Sequence, residues 1–80
     1  MKMYRYSDRF NIAGKNIREA REAHKLSQDQ LAAKMQVEGV QISQRSISRA
    51  ETGDRVIADF ELKAFARVLA ASVDSLLDEK

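Results

Sequence analysis

Apolar residues recur along this chain at spacings of three and four, and strict alternation is scarce, so the pattern predicts helices rather than strands. Ile17, Ala20 and His24 share one stripe, with Arg21 beside it, which places a first helix over about residues 13–24. Leu31, Ala32 and Met35 give a second helix its apolar face. That helix starts after Ser27, where Ser27 and Gln30 have the spacing of a capping box, and Gly39 is suited to end it. Val40, Gln41 and Ile42 alternate and read as an extended link. A third helix is capped by Ser43, turns Ile47 and Ala50 inward and ends at Gly53. A fourth starts at residue 59 or 60 and runs to 69, with Leu62, Phe65, Ala66 and Leu69 as its buried stripe. A fifth is short, capped by Ser72, with Val73, Leu76 and Leu77 expected inward. The expectation is an all-α fold, a compact five-helix bundle over 12–80, preceded by an N-terminal arm over 1–11 in which Phe10 packs on the bundle.

Composition narrows this picture. Eighty residues make one small domain with a modest core. There is no cysteine, hence no disulfide framework and no thiolate metal site. A lone histidine, His24, does not make a metal site either. No long apolar run or leader pattern is present, so a soluble, cytoplasmic protein is expected. Net charge is only +2, yet residues 1–25 hold seven cationic against three acidic side chains, and residues 56–80 hold three against five. The basic end suits a polyanion and the acidic end should point elsewhere. No nucleophile–base set, Gly-rich phosphate cradle or cofactor motif is visible, so an enzyme is not expected.

The third helix, within "ISQRSISRAETGDR", is too polar to be a core element. With Ile47 and Ala50 inward, Gln44, Arg45 and Arg49 lie on its other sides. Gln pairs with adenine edges and Arg with guanine O6 and N7, and a helix presenting such residues from its first turns can enter a major groove. Gln28 stands at the start of the second helix, where free N–H groups and the positive dipole end suit a phosphate.

These segments together resemble the Cro/repressor-type, or XRE, helix-turn-helix family. The matching residues are "IREAREAHKLSQDQLAAKM", "ISQRSISRAETG" and "LKAFARVLAASVDSLL". The resemblance implies a lambda repressor-like DNA-binding fold and a sequence-specific double-stranded DNA-binding regulator, a repressor acting as a homodimer. It makes Gln44, Arg45 and Arg49 base-contacting, and Gln28, Ser46, Ser48 and Arg55 phosphate-contacting. It makes Arg21 and Glu51 a structural ion pair. Helix five, then the N-terminal arm, are the expected dimer surfaces. The alternative is a protein-interaction module, antitoxin-like or coactivator-like, on the same fold. The chain departs from the family in several places. "QVEGVQI" makes the link between helices two and three about five residues longer than the usual tight turn. Lys25 and Ala70 replace glycines that often follow helices, and Ala50 is smaller than usual. Ala58 stands where a threonine often caps helix four, leaving Asp59 as the expected substitute.

Overall fold

The computed structural model describes residues 5–79 and contains five helices: α1 (Gly14–Ala23), α2 (Gln28–Val37), α3 (Gln44–Thr52), α4 (Asp59–Val68) and α5 (Val73–Leu76). Local chemistry accounts for their starts. Ser27 Oγ accepts from the Gln30 amide at 3.0 Å and Gln30 Oε1 accepts from the Ser27 amide at 2.8 Å, a complete capping box. Ser43 and Ser72 cap α3 and α5 in the same sense, accepting from Ser46 and Ser75. The start of α4 differs from expectation. Ala58 has no side-chain acceptor, and Asp59 is the first helical residue rather than the cap. Glu61 reaches back instead, its Oε1 accepting from the Ala58 amide at 2.9 Å.

The helix ends follow one rule. After α1, α2, α3 and α4 the chain turns through a left-handed residue, respectively Lys25, Gly39, Gly53 and Ala70. Each turn closes with the amide of the next residue bonded to the carbonyl five positions back: Leu26 to Arg21, Val40 to Met35, Asp54 to Arg49 and Ala71 to Ala66. Lys25 and Ala70 hold this conformation without being glycine, at a cost of about 1 kcal/mol each. Ala70→Gly is therefore expected to stabilise the domain by about 1 kcal/mol, raising Tm by about 4–8 °C in a thermal melt. An unchanged or lower Tm would show that the lost backbone entropy of the glycine dominates.

Phe65, Ile17, Leu31, Met35, Ile47, Leu69 and Leu76 are the largest fully buried side chains. Ala50 is buried too, and its carbonyl lies so close to the start of α1 that only a glycine fits at position 14. The link after α2 alternates as its sequence does, with Val40 and Ile42 buried and Gln41 exposed. Leu62 is only partly buried, at the margin of the core. α5 departs from its expected inward set. One turn of helix buries Leu76 alone, while Val73 and Leu77 remain 37% and 38% exposed. Leu76 thus belongs to the core of the domain, and the exposed apolar part of α5 is Val73 and Leu77. His24 donates from Nε2 to the Leu69 carbonyl at 2.8 Å; a carbonyl only accepts, so that nitrogen carries the proton.

Ahead of α1 the chain folds back on the domain. A tight turn through Ser7 pairs Tyr6 with Arg9, and the Arg5 guanidinium lies 5.7 Å from the centre of the Phe10 ring. The Phe10 amide donates to the Gly53 carbonyl at 2.9 Å, and Arg9 pairs with Glu79 at 3.5 Å. Of the expected arm, residues 1–4 lie outside the described residues.

Candidate nucleic-acid interface

α3 packs against α1 and α2 through Ile47, Ala50 and Glu51, all buried. That packing decides what remains outside. Gln44, Arg45 and Arg49 are exposed, and Ser46 and Ser48 are half-buried at the edges of the same helix. Arg45 and Arg49 are four residues apart and so share a face. Arg45 makes no hydrogen bond or ion pair among the described residues, so its five donors face solvent. Arg49 donates from Nη2 to the Asp54 carbonyl at 3.1 Å, which leans it toward the loop after α3. Ser46 is engaged with the cap: its hydroxyl accepts from Ser43 Oγ at 3.2 Å.

The first turn of α3 is tied to the interior by a chain of side-chain bonds. Arg21 grips Glu51 with two bonds, Nε to Oε2 at 2.7 Å and Nη2 to Oε1 at 3.1 Å, and a third donor reaches the Leu26 carbonyl at 2.7 Å. The side chains of this pair are 12% and 2% exposed, so both charges are largely removed from water. The bond to Glu51 raises the pKa of Arg21 above its ordinary value, against a smaller opposing effect of burial. Because the folded value is the raised one, the pair's contribution through Arg21 is fully present below the unfolded value for as long as Glu51 is ionised. On the alkaline side it is lost as pH climbs through the raised value. Glu51 Oε1 also accepts from Gln28 Nε2 at 3.0 Å, and Gln28 Oε1 accepts from Gln44 Nε2 at 2.6 Å. Gln44 is therefore presented in a defined orientation, since each amide end of Gln28 is occupied within the protein.

Arg55 stands differently from the other positions marked in the sequence. Its guanidinium makes a two-bond fork with the Glu61 carboxylate, at 3.2 and 3.3 Å, and it is partly buried. The structure thus brings Gln28, Gln44, Arg45 and Arg49 to one side, with Ser46 and Ser48 beside them, and holds Arg55 in the loop that leads to α4. Glu61 is absent from the sequence-based set of site residues. Its signal is nonetheless present, a glutamate three residues after a helix boundary, as in half of a capping box. Asn11 is absent from that set too. Its amide donates to the carbonyls of Ala50 at 3.0 Å and Arg55 at 2.8 Å, and its oxygen accepts from the Gly14 amide at 2.7 Å. Its bond to Gly14 has the local spacing of a cap, but its other two partners lie 39 and 44 positions away, where no local pattern reaches.

The helix order, the capped α2 and the exposed polar face of α3 can be set beside known proteins. A family model described as helix-turn-helix matches residues 17–76, which covers α2, α3, α4, α5 and most of α1. No curated protein and no solved structure was found to match the chain.

Proposed function

We propose that this chain, which belongs to the Cro/C1-type (XRE) helix-turn-helix family of DNA-binding regulators, reads a specific double-stranded DNA site as a homodimer and represses transcription there. The observation that carries this reading is the division of α3 into a buried face, Ile47, Ala50 and Glu51, and an uncovered face bearing Gln44, Arg45 and Arg49. In the proposal α3 lies in the major groove. Gln44, oriented by Gln28, reads an adenine edge, and Arg45 and Arg49 read guanines or neighbouring acceptors. The first-turn amides of α2 not taken by Ser27 meet a phosphate, with Gln28 at the contact, and Ser46 and Ser48 add neighbouring phosphate contacts. Arg55, held in place by Glu61 through two of its five donors, offers the remaining ones to a further phosphate. A module this small makes few base contacts, so two copies on half-sites about 34–36 Å apart supply the needed affinity. Repression follows from occupancy of the site, which keeps other proteins from the same stretch of duplex.

Arg45→Ala tests the reading at one residue. It should weaken binding to the preferred site by about 1–3 kcal/mol and relax preference at a single base position, as read by competition with single-base variants of the site. Equal weakening on every sequence would make Arg45 a phosphate contact instead.

A further inference from the structure

We infer that Asn11 is a positioning residue for the DNA-reading surface: its side chain joins the start of α1, the last turn of α3 and the loop before α4 at one point. The inference rests on the DNA reading proposed above and deepens it. All three bonds of the Asn11 amide go to backbone, and each goes to a different segment. Only a group with one acceptor and a two-hydrogen donor at this short reach satisfies all three at once.

What Asn11 holds matters more than the bonds themselves. The Ala50 carbonyl is among those in the last turn of α3 that lack a partner four residues on, and it accepts from Gly53 as well. It faces the first residue of α1 so closely that a side chain at Gly14 would overlap it. The partially negative end of the reading helix is thus set against the partially positive end of α1, and Asn11 spans the junction. Its second donor fixes the Arg55 carbonyl, while Glu61 fixes the Arg55 guanidinium and the Ala58 amide. The loop is therefore gripped from both sides. Arg49 leans on the neighbouring Asp54 carbonyl. A loop freed at Arg55 moves the support of Arg49, although Asn11 itself touches no residue of the exposed α3 face.

Two substitutions separate this role from simple support of the fold. Asn11→Asp keeps the acceptor for Gly14 but turns a carboxylate oxygen toward two carbonyl oxygens. Asn11→Ser keeps a short acceptor, carries no charge and has too little reach for both carbonyls. For each variant and the unaltered chain, binding is measured to the site that chain selects from random DNA and to an unrelated duplex of equal length. Salt and temperature are held the same, at a temperature where helical circular dichroism shows the protein folded. The negative charge that Asn11→Asp introduces weakens binding to both duplexes alike, so the readout is the ratio of the two affinities. That ratio is expected to fall about tenfold in both variants, the size of one mismatched base pair. An unchanged ratio in Asn11→Ser, with only a lower Tm, would overturn the positioning role. If Asn11→Asp does not fold, the neutral serine variant decides alone. Failure of the unaltered chain to prefer any sequence would instead overturn the DNA reading, and this inference with it.

Discussion

Glu51→Ala is expected to remove about 3–5 kcal/mol of stability, enough to consume most of the margin of a domain this size. The reason is asymmetry. The Arg21–Glu51 pair adds little as a pair, because desolvating both charges offsets their attraction. Deleting one partner leaves the other charged, buried and short of two bonds. Gln28 loses an acceptor in the same step, and Gln44 loses the orientation that Gln28 gives it. Urea denaturation measures the first effect. DNA binding by the folded fraction at low temperature measures the second. The double replacement Arg21→Met with Glu51→Leu should recover much of the stability but not the presentation of Gln44. A loss below about 1 kcal/mol for Glu51→Ala would mean that the pair behaves as a solvated surface pair.

Gly14→Ala should be the next most damaging change, at about 3 kcal/mol, the upper end of the range for overpacking. The obstacle is a backbone carbonyl, that of Ala50, which cannot rotate away as a side chain would. Relief requires α3 to move from α1, which also stretches the Asn11 bonds to Ala50 and Arg55. Thermal melts should show a Tm lowered by about 10 °C or more. A loss of less than about 1 kcal/mol would show that the two helices separate easily at this junction.

Much of the fold is legible in the sequence because its signals are local. The caps Ser27, Ser43 and Ser72 and the left-handed glycines 39 and 53 act through bonds within a few residues, so their spacing alone exposes them. The apolar stripes of α2 and α3 are legible for the same reason. α5 differs in part from its sequence pattern because one turn cannot bury three neighbouring apolar residues, and only the packing reveals that Leu76 is the one. The exposed face of α3 can be read from helical geometry. The bonds that orient it cannot: Gln28 meets Gln44 across 16 positions and Glu51 meets Arg21 across 30. The ion pair is reachable through the family resemblance, while Asn11 and Glu61 have no such guide. Arg55 is marked through the family resemblance alone, and only the structure shows that two of its five donors reach a carboxylate six residues on.

The most direct test of the central claim is selection from a random double-stranded DNA library with the purified chain, repeated with Gln44, Arg45 and Arg49 all changed to alanine. An enriched inverted-repeat motif that the triple variant loses while remaining folded is the predicted result. It would identify the exposed α3 face as a base reader acting in two copies. Absence of any motif from the folded, unaltered chain would contradict the claim and point to a protein-interaction module on the same fold.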